Sequence, residues 1–259
     1  MYYLDFLKSL HGRLAPPTYL EIGIRHGDSL ALADGDAVGI DPFYELRTEL
    51  RDDVKLFRET SDEYFDREQP LEPLGGRRVA FSFIDGMHLA EFVVRDFANV
   101  ERVAEWTSVI VFDDILPRTV DEAGRDRRTR AWTGDVYKAL AALERHRPDL
   151  VCLRVDTEPT GLGVVLGLDP LDRTLHEHYD AIVAESVTPD PQDVPAPVLA
   201  RAGAVDPQRV LDSAVWDLLR QAREHGTSRR RGIHAVRRAV RKDLGVDVPR
   251  PRLVDLATA

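Results

Sequence analysis

Short apolar runs alternate with longer amphipathic segments between residues 19 and 155, and this alternation constrains the fold more than any other feature of the sequence. Short apolar runs bounded by turn residues are typical of buried strands. Strands connected through helices pair in parallel, because a right-handed crossover returns the chain to the same side of the sheet. The predicted strands are Tyr19–Ile24, Ala37–Ile40, Val79–Ile84, Ser108–Phe112 and Leu150–Val155.

The segments around and between these strands carry apolar residues at helical spacing. Helices on both faces of a mostly parallel sheet give a doubly wound, Rossmann-like α/β fold, which binds ligands at the carboxyl ends of its strands. A further run, Gly161–Gly167, follows a turn and is expected to pair with Leu150–Val155 as an antiparallel edge. Helices are predicted at Tyr2–Leu14, from about Asp28, and at Ser61–Arg67, Leu89–Val103 and Asp135–His146.

The composition changes after the predicted sheet. Residues 188–197 are rich in proline, and helical patterns follow near 207–225 and 230–244. We therefore divide the chain into a Rossmann-like domain, residues 1–185, and a linker with a helical C-terminal appendage, residues 186–259. The apolar stripe of the appendage is expected to pack on the core or on another subunit, and a homo-oligomer is predicted. The stripe consists of Val210, Leu211, Val215, Leu218 and Leu219.

The net charge of −10 argues against a nucleic-acid partner, because binding to phosphates relies on clustered cations. The basic residues between 229 and 242 have no interleaved aromatics, so a solvated helix or a subunit contact is favoured there. No apolar run approaches the roughly 20 residues that cross a bilayer, and residues 1–13 do not resemble a signal peptide. We expect a cytoplasmic protein without a membrane partner that acts on a small molecule.

A glycine turn and two acids follow the first two predicted strands. Gly23 and Gly27 would let the backbone approach a ligand, Glu21 can accept hydrogen bonds from an ammonium group, and Asp41 can bind a ribose. Glu21 would repel the pyrophosphate of a dinucleotide, so S-adenosylmethionine fits better than a nicotinamide cofactor. Ser61 is also assigned to the cofactor site. The alternative is that the two glycines only form a tight turn.

The third and fourth core strands both end in acidic residues. Asp85, Asp113 and Asp114 are expected to meet at one edge of the sheet, where oxygen ligands favour Mg²⁺, Mn²⁺ or Ca²⁺ over zinc. Mg²⁺ or Mn²⁺ is the predicted ion. Asp85 is assigned to the cofactor site as well. His88 is a candidate general base, because the ordinary pKa of histidine is near 6.5. The alternative is that Asp85 and Asp113 cap the helices that follow.

Several motifs occur together in one order between residues 15 and 170. The chain resembles the metal-dependent O-methyltransferases of natural-product tailoring, and the macrocin-type sugar methyltransferases in particular. The resemblance implies methyl transfer from S-adenosylmethionine to a hydroxyl of a sugar or natural product, with Asp85, Asp113 and Asp114 as metal ligands and His88 as base. The motifs are Glu21-x-Gly23-x-x-x-Gly27, Asp41, Ile84-Asp85-Gly86-x-His88, Phe112-Asp113-Asp114 and Trp132-x-Gly134-Asp135.

One departure from this family and one charged segment leave alternatives open. Many relatives have aspartate where this chain has Met87, so the role of base falls to His88 or to no residue. A non-catalytic nucleoside-binding or scaffolding protein and metal-assisted hydrolysis are the competing functions. The arginine-rich residues 116–132 form either a lid or a solvated helix, and their arginines either contact an acidic or phosphorylated acceptor or face solvent.

Overall fold

The structure is a computed structural model that describes residues 1–248. Residues 249–259, the end of the predicted appendage, lie outside the described residues. Seven strands form one sheet, and they are β1 Thr18–Ile22, β2 Asp36–Ile40, β3 Lys55–Phe57, β4 Val79–Ile84, β5 Ala104–Phe112, β6 Val151–Val155 and β7 Leu162–Leu166. Their order in the sheet is β3-β2-β1-β4-β5-β7-β6.

The sheet is parallel from β3 to β5, and β7 runs antiparallel to both of its neighbours. This arrangement confirms the predicted doubly wound, mostly parallel α/β fold. The antiparallel strand lies one position inside the edge, because the chain first forms the outer strand β6 and then returns between β6 and β5. The short strand β3 was not predicted.

Helices cover both faces of this sheet. One face packs against the helices between residues 61 and 186, and the other packs against the N-terminal helix and the helices between residues 207 and 239. Alternate residues of β5 enter the two layers, Ile110 and Phe112 on one side and Val109 and Val111 on the other. The helices are α1 Tyr3–Leu14, α2 Ser61–Phe65, α3 Ala90–Val103, α4 Tyr137–His146, α5 Thr174–Glu177, α6 Tyr179–Ser186, α7 Ala196–Leu199, α8 Pro207–Leu211, α9 Val215–Glu224 and α10 Arg229–Ala239, which a π-helical turn extends over Val240–Leu244.

The connection from β1 to β2 differs from the prediction. The prediction of a helix from about Asp28 is wrong. Only a 3₁₀ turn, Leu30–Leu32, forms there. Thirteen residues separate the two strands, and the tight turn from Gly23 to Gly27 uses the first of them. Too few residues remain for an α-helix and its return to the sheet.

The C-terminal helices cover the sheet face that this short connection leaves open. Val210, Val215 and Leu219 are buried against α1 and the strands, so most of the predicted apolar stripe packs on the chain's own core. Two polar contacts hold the C-terminal helices against the rest of the protein. Arg229 is ion-paired with Asp149 at 2.7 Å, and the indole N–H of Trp106 donates to the carbonyl of Thr227 at 2.7 Å.

No helix in the described part of the chain is long and apolar enough to cross a membrane.

Candidate functional site

A cleft of about 600 Å³ opens at the carboxyl ends of the central strands. The last residues of β2, β1, β4 and β5 stand in one in-register row, from Ile40 through Ile22 and Ile84 to Phe112. The next residue of each strand therefore leaves the sheet at the same level. These four residues, which all line the cleft, are Asp41, Gly23, Asp85 and Asp113.

The structure brings seven of the nine predicted site residues into this cleft, and Glu21 and Gly27 do not line it. A groove of similar volume, about 590 Å³, lies beside β6 and contains none of the predicted residues. These seven predicted site residues are thus found in the cleft at the strand ends and not in the groove beside β6. The seven residues are Gly23, Asp41, Ser61, Asp85, His88, Asp113 and Asp114.

Gly23 makes the close approach between the turn after β1 and the turn after β4. Its φ is +89°, and an added Cβ would collide with the backbone carbonyl of Asp85. The N–H of Gly23 donates to Ile40 and the N–H of Asp85 donates to Ile22, both at 2.8 Å. A side chain at position 23 would therefore push the two turns apart.

Asp41 fixes the backbone on both sides of the turn. One carboxylate oxygen accepts hydrogen bonds from the N–H groups of Ile24 and Arg25 at 2.9 Å, and the other accepts from Phe43 at 2.7 Å. The carboxylate reaches these donors because β1 and β2 are adjacent. Asp41 thus shapes the glycine turn as well as lining the cleft.

Glu21 lies behind the turn and not in the cleft. It is fully buried, and its two oxygens accept hydrogen bonds from Tyr19 at 2.6 Å and Ser29 at 2.7 Å. Burial raises the pKa of Glu21 to about 8, against the opposing effect of these hydrogen bonds. With both oxygens occupied, Glu21 supports the turn and does not present itself to an ammonium group. Gly27 has a φ of +87° and packs against Leu46.

Asp85, Asp113 and Asp114 form an acidic centre in the cleft. Oxygens of Asp85 and Asp114 and a ring nitrogen of His88 lie within 4.8 Å of one another, an arrangement that could hold a metal ion. Asp113 stands beside them, and one of its oxygens accepts the backbone N–H of Asp114 at 2.8 Å. Burial and the neighbouring acids raise the pKa of Asp113 well above its ordinary value. The centre therefore favours an added positive charge.

His88 lies between two of these acids. Its Nδ1 is 2.9 Å from a carboxylate oxygen of Asp114, and its Nε2 is 3.3 Å from one of Asp85. Burial lowers the pKa of His88, but the hydrogen bonds and charges of both acids outweigh burial and raise it to about 11. The ring of Trp132 stacks on the imidazole at 5.0 Å, with an angle of 8° between the planes.

The motif Trp132-x-Gly134-Asp135 holds the loop that carries His88. The carbonyl of Trp132 lies 2.8 Å from Nδ1 of His88. Asp135 accepts the backbone N–H of Ala90 at 2.8 Å and so caps α3. The alternative in which Asp85 and Asp113 are helix caps is therefore wrong: Asp135 caps α3, and no α-helix begins after Asp113 until Tyr137.

Residues 116–132 form turns and bends with no α-helix, so the interpretation as a solvated helix is also wrong. Glu91 and Asp135 hold this segment through ion pairs with Arg125 at 2.5 and 2.8 Å. Four residues of the segment line the cleft, namely Arg127, Arg130, Ala131 and Trp132. The segment thus lies over the site.

Sequence reasoning missed several cleft residues. Tyr2 and Tyr3 reach the cleft because the N–H of Tyr3 donates to the carbonyl of Glu158 at 3.0 Å, a long-range contact without a local signal. Asp96 did have a signal, since it interrupts the apolar face of α3. It is buried and accepts a hydrogen bond from Ser61 at 2.6 Å, and burial raises its pKa to about 7.

Residues 20–115 match the family model of a methyltransferase domain. This match runs from within β1 to just past β5 and includes the turns that carry Gly23, Asp41, Asp85 and Asp113. The match agrees with the methyltransferase domain that the sequence analysis predicted for this part of the chain. No curated protein matches the chain.

Three solved structures are similar to this chain. The cofactor-bound protein Rv0187 from MTB is 19% identical, with 64% of this chain and 79% of that chain covered and a TM-score of 0.48. An O-methyltransferase from Bacillus cereus in complex with SAH is 18% identical, covering 63% and 80%, with a TM-score of 0.45. The O-methyltransferase TomG from Streptomyces achromogenes, involved in tomaymycin synthesis, is 18% identical, covering 63% and 79%, with a TM-score of 0.43.

Proposed function

We propose that this protein transfers a methyl group from S-adenosylmethionine to a hydroxyl of a small molecule, with a divalent metal ion at the acidic centre. The observation that carries the proposal is the single cleft that joins the glycine turn and Asp41 to the acids Asp85, Asp113 and Asp114. A nucleoside site and an acidic centre within one cleft can hold a methyl donor beside a hydroxyl acceptor. The match of residues 20–115 to a methyltransferase domain supports the same reaction.

The methyl donor would occupy the side of the cleft formed by the turns after β1, β2 and β3. Gly23 leaves room for the donor against the backbone, and Asp41 offers a carboxylate for ribose hydroxyls. Ser61 and Asp96 lie further along the same wall, where their hydroxyl and carboxyl groups can contact polar atoms of a base. These groups recognise a nucleoside without requiring a phosphate.

The donor set of the acidic centre fits a hard divalent ion. Asp85 and Asp114 present oxygens close together, and Asp113 adds a third carboxylate. Cys152, the one cysteine, lies elsewhere, in β6. Such oxygen ligands suit Mg²⁺ or Mn²⁺. An ion held by these acids would supply positive charge beside the acceptor hydroxyl and lower its pKa.

The residues of the chain divide the chemical step between them. The acids around His88 raise its pKa, and the charge of an ion held by them would offset this effect and leave the imidazole neutral. The neutral His88 would accept the proton of the acceptor hydroxyl, and Trp132 keeps the imidazole ring in place by stacking on it. The acceptor oxygen then forms a bond to the methyl carbon while the carbon–sulfur bond breaks, which gives a methyl ether and S-adenosylhomocysteine. The walls of the cleft hold both reactants in line, and such positioning accounts for much of the acceleration in reactions of this kind.

Calorimetric titration with S-adenosylmethionine and S-adenosylhomocysteine, with and without Mg²⁺, tests the proposal. We expect saturable binding at micromolar concentrations, weakened by Asp41→Ala because the glycine turn loses the acceptor of its N–H groups. The exposed Asp52 provides the control substitution Asp52→Ala. Absence of binding by the unmodified protein under both conditions would reject the assignment and favour the non-catalytic or hydrolytic functions.

A further inference from the structure

Two arginines of the segment 116–132 line the cleft and have no acidic partner in the part of the chain that the structure describes. Arg127 and Arg130 both line the cleft and are exposed to solvent. The only hydrogen bond between them runs from a guanidinium N–H of Arg127 to the carbonyl of Arg130 at 3.0 Å. Both guanidinium groups therefore keep most of their donors free for a ligand.

The other arginines of the same segment are used differently. Each of them is ion-paired with an acid of this protein, and none of them lines the cleft. The segment thus holds its own shape with paired arginines and leaves two cations at the cleft. The pairs are Arg118 with Glu122, Arg125 with Glu91 and Asp135, and Arg128 with Asp126.

The position of Arg127 relates these cations to the reacting hydroxyl. Its guanidinium carbon lies 5.9 Å from the centre of the Trp132 ring, and that ring stacks on His88 at 5.0 Å. Arg127 and His88 therefore both lie beside the Trp132 ring. A single small ligand can reach both if its charged group and its hydroxyl are on different parts of the molecule.

From this placement we propose that the methyl acceptor is an anionic small molecule, whose carboxylate or phosphate is bound by Arg127 and Arg130 while its hydroxyl faces His88 and Asp114. The inference rests on the proposed function and names its substrate class. Guanidinium groups bind carboxylates and phosphates through paired hydrogen bonds. In a protein of net charge −10, two cations in the lining would also attract an anion toward a cleft that is otherwise acidic.

Two matched pairs of probes test the inference and separate the two anions. Catechol and 3,4-dihydroxybenzoate differ by a carboxylate, and glucose and glucose 6-phosphate differ by a phosphate. Each is titrated calorimetrically into protein saturated with S-adenosylhomocysteine and Mg²⁺. We expect the charged member of one pair to bind at least about tenfold more tightly than its neutral partner, and that pair identifies the anion.

The double variant Arg127→Gln/Arg130→Gln should remove this preference and leave binding of the neutral probes and of S-adenosylhomocysteine unchanged. Arg128→Gln is the control, because it removes one charge from the same segment at a residue that does not line the cleft. The inference fails if neither charged probe binds, if both pairs show equal affinity within each pair, or if the double variant keeps the preference. Failure of S-adenosylhomocysteine to bind would instead reject the proposed function.

Discussion

Gly134 packs directly against the backbone carbonyl of His88, with a φ of +54° and no room for a Cβ atom. This contact joins the segment above the cleft to the loop after β4. It works together with the stacking of Trp132 on the imidazole and with the cap that Asp135 provides for α3. The position of His88 therefore depends on residues more than forty positions further along the chain.

We predict that Gly134→Ala lowers the rate of methyl transfer by about 10²-fold, because displacement of His88 by about 1 Å disturbs the reacting geometry. The left-handed backbone adds a loss of stability of about 1 kcal/mol. Steady-state kinetics with an accepted substrate and urea denaturation measure the two effects separately.

Gly76→Ala is the matched control for this prediction. Gly76 has a φ of +74°, but an added Cβ would meet nothing within 4 Å. The control should therefore lose a similar amount of stability and keep its activity. Equal activity in the two variants would show that the contact between Gly134 and His88 does not position the imidazole for reaction.

The acidic centre was predictable from the sequence because of a general property of parallel sheets. The carboxyl ends of adjacent parallel strands share one edge, so acids that follow the apolar runs of β4 and β5 must converge. The run Val79–Ile84 coincides with β4, since both faces of this strand are buried and all of its residues except Ser82 are apolar.

The roles of Glu21 and Trp132 could not be predicted in the same way. The burial of Glu21 depends on Tyr19 and Ser29 turning their hydroxyl groups toward it. The stacking of Trp132 on His88 depends on the path of a segment without regular secondary structure. Similarly, the N-terminal tyrosines reach the cleft only through pairing with Glu158. Such contacts follow from the folded path of the chain and have no local periodicity.

A second prediction concerns the proposed metal ligands. Asp113→Asn and Asp114→Asn should each lower the Mg²⁺-dependent rate by about 10²-fold or more, because the ion loses charged oxygen ligands. Affinity for S-adenosylhomocysteine should change little, since its predicted contacts are with other residues. Rates across a Mg²⁺ titration and after treatment with a chelator provide the measurement. The exposed Asp121 supplies the control variant Asp121→Asn, and an undiminished rate in both ligand variants would remove the metal from the mechanism.

A third prediction follows from the buried carboxyl group of Glu21. Its pKa rises from 4.5 in the unfolded chain to about 8 in the folded protein, so the folded state binds this proton more tightly. The stabilising effect of this proton is complete below about pH 4.5 and is lost as the pH rises through about 8. The side chain of the Glu21→Gln variant cannot ionise. Its free energy of unfolding, relative to that of the unmodified protein, should therefore increase between pH 5 and pH 8.

Urea denaturation at several pH values measures this difference for Glu21→Gln. Glu49→Gln, a substitution of an exposed carboxyl group, provides the baseline. A gain of at least about 1 kcal/mol across the range is expected, because one unit of pKa shift corresponds to about 1.4 kcal/mol. A constant difference between the variant and the unmodified protein would mean that Glu21 is ionised in the folded state throughout.

The fourth prediction concerns His11 of α1, which lies far from the acidic centre. The ring is buried between Tyr19 and Phe81, with centroids 4.7 and 4.8 Å away, and neither ring nitrogen has a hydrogen-bond partner among the described residues. Burial lowers the pKa of His11 from 6.5 to about 4. The folded protein therefore contains the neutral imidazole, and the unfolded chain binds the proton more tightly than the folded protein does.

The sign for His11 is opposite to that for Glu21. The contribution of the neutral ring to stability is complete above about pH 6.5 and is lost as the pH falls through about 4. His11→Phe keeps an aromatic ring between Tyr19 and Phe81 and cannot take up a proton. The variant should therefore be more stable than the unmodified protein at pH 5 and should lose less stability between pH 7 and pH 4. Thermal denaturation across this range, with the exposed His234→Phe as control, measures the effect. If His11→Phe loses as much stability on acidification as the unmodified protein, protonation of His11 does not drive acid unfolding, and the acid-sensitive group must lie elsewhere.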